Sequence, residues 1–139
     1  MGNTIKETKE EGFVIRWQEM AEWCHATSVE HGFWEHNDDV VDHLDPDNRD
    51  VVATYLVTAV PEKLALIHAE VSEALEAVRA GNPPDDKVPE YSGLEAELAD
   101  VVIRIMDLEQ KLDLNVGGAI VAKNKMNEGR EHMHGGKKF

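Results

Sequence analysis

Apolar side chains recur at helical spacing along almost the whole chain, and no run of residues alternates in the way that builds a sheet. The stretch after Pro61 is the clearest case, because one stripe of apolar residues follows it: Leu64, Ile67, Val71, Ala74, Leu75 and Val78. This spacing is typical of a helix with one packed face. Pro61 suits the first turn of that helix, where no amide hydrogen is needed, and Gly81 suits its end. The sequence therefore predicts an all-α fold.

The same patterns predict a single domain over residues 1–139, built as a bundle of four to five helices. Residues 1–11 are expected to be a flexible start and residues 131–139 an irregular tail. Helices are predicted over residues 12–31, 61–80, 94–112 and 116–130, the last after an Asn115 cap. The inward residues of the third of these are expected to be Leu94, Leu98, Val101, Val102, Ile105 and Leu108.

The region between the first two long helices is predicted to be less regular. Residues 33–44 are rich in Asp, Asn and His without a clear period, so we expect a loop or a poorly formed helical turn. A short helix is predicted to begin at Asp45, with Pro46 in its first position. Its packed side is expected to consist of Val51, Val52, Tyr55 and Leu56.

Two pairs of acidic residues lie three positions apart on successive predicted helices: Glu70 with Glu73, and Glu97 with Asp100. Residues at this spacing share a helix face, and Glu97 interrupts the apolar stripe of its helix. Antiparallel packing would bring four carboxylates into one cleft. Charges about 4 Å apart there repel by about 4 kcal/mol, so the cluster requires protonation or a cation. All-oxygen ligands favour Mg²⁺, with Mn²⁺ as a possible substitute.

The two acidic pairs also have a less specific interpretation, in which they have no functional role. A chain with 28 Asp and Glu residues contains such spacings by chance, as in Glu73 with Glu76 and Glu19 with Glu22. Charged residues on a helix usually face water. The acids would then belong to solvated helix faces.

The last predicted helix carries complementary residues. Lys123, Asn127 and Arg130 are four and three positions apart and therefore share a face. With Lys137 in the glycine-rich tail, they suit the phosphates and sugar of a nucleotide. The alternative is that these cations merely complement the dipole of a helix C-terminus. Trp17, Trp23 and Trp34 are candidates for stacking on a base, although tryptophan at helical spacing usually belongs to a core.

The formal net charge of −14 disfavours binding to duplex nucleic acid, which selects basic surfaces. It does not exclude a small anion held through a divalent cation. No apolar run approaches the ~20 residues that span a bilayer, so no membrane association is expected. The polar start and the single cysteine, Cys24, predict a cytoplasmic protein without an internal disulfide.

Three blocks in order resemble the MazG-like branch of the all-α nucleoside triphosphate pyrophosphohydrolases: KLALIHAEVSEALEAVRAG, ELADVVIRIMDLEQKLDL and KNKMNEGREHMHGGKKF. That family is marked by E-x-x-E, a spacer, E-x-x-D and a later K-x-x-x-N-x-x-R. The resemblance covers about residues 62–139. The chain before them resembles the family only in general character, with a leading helix that is expected to end near Gly32. The resemblance implies Mg²⁺-dependent cleavage of a nucleoside or deoxynucleoside triphosphate to the monophosphate and pyrophosphate. It also implies a homodimer or homotetramer in which neighbouring subunits complete each active site.

The implied roles fall on residues already singled out. The metal ligands would be Glu70, Glu73, Glu97 and Asp100. One of these carboxylates would accept a proton from the attacking water; the sequence does not decide which, and Glu73 is the candidate. Lys123 and Arg130 would stabilise the charge that develops on the phosphates, and the substrate-binding residues would be Lys123, Asn127, Arg130 and Lys137.

Two other functions are compatible with parts of the sequence. Glu22 with His25 and Glu131 with His134 both satisfy E-x-x-H, which is typical of a ferritin-like di-iron carboxylate protein. The second alternative is a non-catalytic acidic module that binds nucleotides or basic partners. Mg²⁺-dependent release of pyrophosphate distinguishes the enzyme from both.

Overall fold

The computed structural model describes residues 7–130, which form six helices and no strand. The helices are α1 (Lys9–Glu30), α2 (Glu35–Leu44), α3 (Val51–Thr58), α4 (Val60–Arg79), α5 (Gly93–Lys111) and α6 (Val116–Glu128). An isolated bridge between Pro84 and Ser92 closes the α4–α5 loop. The all-α prediction is confirmed, although this part of the chain has more helices than expected.

Side-chain caps explain where the long helices begin. Thr8 caps α1 and Ser92 caps α5, and in each case the carboxylate of a glutamate three residues later accepts a hydrogen bond from the backbone N–H of the cap residue. The side chain of Asn115 accepts a hydrogen bond from Gly118 N, as expected for the cap of α6. Helix α1 therefore begins at Lys9, three residues earlier than predicted, so residues 9–11 of the expected flexible start are helical.

The prediction of irregular structure for residues 33–44 is wrong, since α2 occupies most of them. Trp34, Asn37 and Val41 are buried at intervals of three and four, so the segment has a helical inner face. The acids and histidines that obscure this period in the sequence lie mainly on the outer face.

The start predicted for the short helix is also wrong. The side chain of Asp50, not Asp45, caps α3 by accepting a hydrogen bond from Ala53 N. Asp45 instead ends α2, and its carboxylate accepts hydrogen bonds from the backbone N–H groups of Arg49 and Asp50. The Asp–Pro pair therefore belongs to a turn. Of the predicted packed side, Tyr55 is buried whereas Val52 and Leu56 are exposed.

Helix α5 is central to the packing. It lies against α4 on one side and α1 on the other, while α6 packs on α1 and α2 packs on α3. The buried cluster lies where α2 and α3 meet the C-terminal half of α5: Trp34, Val41, Tyr55, Ala59, Leu108 and Leu112.

Much of the predicted apolar stripe of α4 is not covered in the single chain. Ala74 is buried, but four of its members are about half exposed: Leu64, Val71, Leu75 and Val78. Leu98 and Val102 of α5, which were expected inward, are exposed as well. The expectation that these residues face the core of one chain is wrong, because α4 packs on α5 and α3 and the described helices leave the remaining faces of α4 and α5 uncovered.

No single helix of the described chain is long and apolar enough to cross a membrane. Helices α3 and α4 reach that length and hydropathy only when taken together across a 46° bend.

Candidate metal centre and adjoining cavity

Three of the four predicted acidic residues converge between α4 and α5. Glu70 of α4 and Glu97 and Asp100 of α5 each offer a carboxylate oxygen, and these oxygens all lie within 4.8 Å of one another. Glu70 is 7% exposed, Glu97 is partly buried and Asp100 lies at the surface. The antiparallel packing of the two helices therefore forms an acidic cleft that opens to solvent at one side.

Glu73, the fourth predicted residue, lies outside this group of three oxygens. Its side chain is exposed on α4, one turn after Glu70. Its negative charge nevertheless contributes to the raised pKa of the Glu97 carboxyl, so Glu73 lies near the rim of the cleft.

The electrostatics of the cleft disfavour full ionisation. Burial is the largest cause of the raised pKa of Glu97, and the charge of Glu73 is the next. Asp100 and Glu70 contribute further in the same direction. Burial and then the charge of Glu70 raise the pKa of Asp100, against an opposing effect of Arg104 and Lys87. A proton or a cation is therefore stabilised at this position.

Arg104 is a member of the cluster that the motif does not include. Its Nε–H donates a hydrogen bond to Oε1 of Glu70 at 2.5 Å, and its Nη2 forms an ion pair with the same oxygen, also at 2.5 Å. Arg104 lies four residues after Asp100 and seven after Glu97, so helical spacing alone places it on their face. That spacing is the signal by which it was identifiable in the sequence.

The donor set fits a hard divalent ion. Carboxylate oxygens are the preferred ligands of Mg²⁺, and an octahedral ion with bonds of about 2.1 Å places its ligands about 3 to 4 Å apart. The three carboxylate oxygens lie within 4.8 Å of one another, which is close to that spacing. Glu70, Glu97 and Asp100 are thus able to hold Mg²⁺ or Mn²⁺, with open positions for water and substrate.

A cavity of about 400 Å³ adjoins the acidic cluster between α1 and α5. Asp100 and Arg104 form the wall that it shares with the cluster, and Trp23 and Phe33 line it as well. Both aromatic side chains are about two-thirds exposed. An apolar, aromatic wall beside a cluster of carboxylates suits a ligand with one flat apolar part and one anionic part.

The three candidate tryptophans differ in their surroundings. Only Trp23 lines the cavity. Trp17 packs against Gly117 of α6 and donates its Nε1–H to Glu109, at 2.8 Å. Trp34 is 2% exposed and belongs to the core. Trp23 is therefore the one tryptophan of the three that is placed to stack on a ligand.

Asp107 organises the far wall of the cavity and was not anticipated. It lies one helical turn beyond Arg104, and its carboxylate accepts hydrogen bonds from His25 Nδ1 at 2.7 Å, Ser28 Oγ at 2.9 Å and Trp34 Nε1 at 2.9 Å. These donors come from α1 and from the start of α2. Asp107 therefore fixes both elements against α5.

A second cavity, of about 320 Å³, shares Ser28, Phe33, Arg104 and Asp107 with the first. Its additional polar wall is formed by Glu62 and Lys63 of α4. Burial lowers the pKa of Lys63, whose ammonium donates to Phe33 O and lies 4.2 Å from the centroid of the Trp34 ring. The two cavities together form a continuous surface for a ligand on both sides of Arg104.

The predicted phosphate-binding residues of α6 lie elsewhere in the single chain. Lys123 and Asn127 line a separate cleft of about 570 Å³ against Lys9 and Phe13, at the beginning of α1. The first cavity uses α1 from Met20 onward, so the two regions are separated by at least seven residues, or about 10 Å of helix. One chain does not bring the cations of α6 to the acidic cluster.

The other two predicted phosphate-binding residues lie beyond the end of α6 in the sequence. Arg130 is exposed just beyond the end of α6. Lys137 lies outside the described residues, so its role stays a prediction.

The E-x-x-H pair of α1 does not face one site. Glu22 is exposed, whereas His25 is turned toward Asp107. The second pair, Glu131 with His134, lies outside the described residues. A di-iron centre would need both pairs directed into the bundle core.

Comparisons of the chain with models of known protein families, with curated proteins and with solved structures found no match.

Proposed function

We propose that this protein is a Mg²⁺-dependent nucleoside triphosphate pyrophosphohydrolase, which cleaves a nucleoside or deoxynucleoside triphosphate to the monophosphate and pyrophosphate. The observation that carries the proposal is the convergence of Glu70, Glu97 and Asp100 beside a cavity with aromatic walls. A substrate with a flat base and a charged phosphate chain matches both parts.

The acidic cluster is proposed to hold the divalent ion. When bound, such an ion neutralises charge on phosphate oxygens and lowers the pKa of a water molecule. Glu73 stands exposed at the rim of the cluster, near Glu97 but outside the group of three oxygens. It is therefore free to accept a proton from the attacking water at the α-phosphorus.

The cavity is proposed to hold the base and sugar. Trp23 and Phe33 offer aromatic faces, and Asp107 fixes the opposite wall through its bonds to α1 and α2. With Asp100 at the cavity edge, a base in this position directs its phosphates toward the carboxylates.

Completion of the site is proposed to require a second copy of the chain. In one chain the α6 cations are remote from the acids, and the outer faces of α4 and α5 expose apolar residues that association would bury. A homodimer or homotetramer would let Lys123, Asn127, Arg130 and Lys137 of a neighbouring copy reach the phosphates. Light scattering coupled to size-exclusion chromatography tests this part, and a monomer at micromolar concentration would contradict it.

The decisive experiment is a panel of normal and modified nucleoside triphosphates assayed for pyrophosphate release with Mg²⁺ and with EDTA. We expect Mg²⁺-dependent release, lost in Glu97→Gln and strongly reduced in Glu73→Gln. Glu19→Gln is a matched control, because it makes the same chemical change at an exposed position of α1.

Two results would count against the proposal. Pyrophosphate release that is unaffected by EDTA would exclude a metal-dependent reaction at the acidic cluster. Triphosphate binding without turnover across the whole panel would favour the non-catalytic alternative instead.

A further inference from the structure

Arg104 and Glu70 form an unusually unequal ion pair. Both contacting nitrogens of the guanidinium approach the same oxygen of Glu70, and the Glu70 side chain is 9% exposed whereas the arginine side chain is 41% exposed. Glu70 is therefore fixed by the packing of α4 on α5, while the cation that neutralises it has access to solvent.

The position of Arg104 gives it two possible partners. On one side lies Glu70, which is one of the three residues whose oxygens converge. On the other side the arginine lines both cavities, including the wall next to Asp100. Rotation about its side-chain bonds is enough to turn the guanidinium from the carboxylate to the cavity without any movement of the backbone.

We propose that Arg104 is a built-in counter-cation of the acidic cluster, which a divalent ion displaces from Glu70, and that the displaced guanidinium then binds the phosphates of the substrate. This inference rests on the proposed function. A guanidinium and a divalent ion that share one carboxylate repel each other, so each weakens the binding of the other. Arginine is well suited to the second role, because its planar fork binds phosphate oxygens in pairs.

A different role for Arg104 makes the opposite prediction. If the arginine only orients Glu70 toward the ion, as hydrogen-bonding partners of metal ligands commonly do, its removal weakens metal binding. Displacement instead requires that its removal strengthens metal binding. The sign of the change distinguishes the two roles.

The test is a titration of the metal-free protein with Mn²⁺, with free Mn²⁺ measured by electron paramagnetic resonance. We expect Arg104→Gln to bind Mn²⁺ about tenfold more tightly than the wild type, since the repulsion of a nearby unit charge on a divalent ion is of this order even when solvent-screened. Arg104→Lys keeps the charge and is the matched control, with an affinity near that of the wild type. Weaker or unchanged binding by Arg104→Gln would overturn the displacement.

A second titration tests whether the guanidinium of Arg104, once displaced from Glu70, binds the phosphates of the substrate. With Mg²⁺ present, Arg104→Gln should bind a non-hydrolysable nucleoside triphosphate analogue about tenfold more weakly, while its affinity for the corresponding nucleoside stays the same. An equal loss for the nucleoside would indicate a general disturbance of the cavity and would overturn this half of the proposal, as would an unchanged affinity for the analogue.

The wild type supplies a measurement that does not depend on the folding of a variant. The Arg104 Nε–H resonance should move on addition of Mg²⁺, because its hydrogen bond to Glu70 is broken. A resonance that stays unchanged at saturating Mg²⁺ would overturn displacement.

The two proposals fail in different ways. Wild-type protein that binds no Mn²⁺ and releases no pyrophosphate overturns the proposed function and this inference together. Wild-type protein that does both, while Arg104→Gln binds Mn²⁺ less tightly, overturns this inference alone.

Discussion

Replacement of Glu97 by glutamine should stabilise the metal-free protein, although it removes a proposed metal ligand. Two carboxylate oxygens at the 4.8 Å limit of the cluster repel by about 3.5 kcal/mol at an effective dielectric of 20 and by about 0.9 kcal/mol at that of water. Glu97 is only partly buried, and Arg104 neutralises part of the charge of Glu70. We therefore expect a gain of about 1–2 kcal/mol in the free energy of unfolding.

The assay is thermal unfolding followed by circular dichroism at pH 8, in EDTA and in excess Mg²⁺, at one protein concentration. For a chain of 139 residues the entropy of unfolding is about 0.3 kcal/mol per degree, so Tm should rise by about 3–7 °C in EDTA. Added Mg²⁺ should stabilise the wild type and have little effect on Glu97→Gln, because only the wild type keeps the full ligand set.

Glu19→Gln provides the control for a general effect of lost negative charge, since the net charge of the chain is −14. It should change Tm by less than about one degree, as surface substitutions usually do. A fall in Tm of Glu97→Gln in EDTA would refute the claim that the carboxylates repel one another in the metal-free cleft.

Three further predictions follow from particular contacts and from the raised carboxyl pKa values. The folded state binds protons at Glu97 and Asp100 more tightly than the unfolded state does, because it raises the pKa of both groups. In EDTA, their contribution to the free energy of unfolding should therefore decrease as pH rises from their unfolded pKa values, 4.5 and 3.8, through their raised folded values. Thermal melts should accordingly show that Mg²⁺ stabilises the protein more at pH 8 than at pH 5. Asp107→Asn should lower the free energy of unfolding by about 2–4 kcal/mol in urea titrations, since it weakens three hydrogen bonds to a charged acceptor. Asp113→Asn is the control and should have almost no effect, because Asp113 is exposed and asparagine tolerates its φ of 53°. Gly117→Ala should lower the free energy of unfolding by about 1–3 kcal/mol in the same titration, because the new Cβ would lie 2.9 Å from the Trp17 ring. Gly129→Ala is the control, since its Cβ would lie no closer than 3.6 Å to a neighbour. Equal effects at the two glycines would contradict the close packing of α6 on α1.

The local part of the fold was predictable because its causes are local. Apolar periodicity identified α4 and α5, and a proline and an asparagine marked where α4 and α6 begin. Helix α2 was missed because only two of its residues, Asn37 and Val41, are buried, and charged residues between them obscure the period. The beginning of α3 was missed because Asp45 and Asp50 are both suitable caps, and only the turn between them decides which one is used.

The acidic cluster was partly predictable for the same reason. Positions three apart share a helix face, so the two pairs were expected to meet if α4 and α5 packed antiparallel. The structure brings Glu70, Glu97 and Asp100 together, while Glu73 lies at the rim. The role of all four in holding a metal stays a prediction.

The sequence by itself determined which residues form helices and which side chains share a face, because both follow from interactions between residues three and four positions apart. Only the tertiary structure decided which faces meet. Arg104 pairs with Glu70 across 34 residues, and Trp34 donates to Asp107 across 73 residues. Such contacts depend on the register and angle at which whole helices pack, and these are set by the sum of many side-chain contacts along both helices. For the same reason only the structure revealed that the cations of α6 lie away from the acids in a single chain.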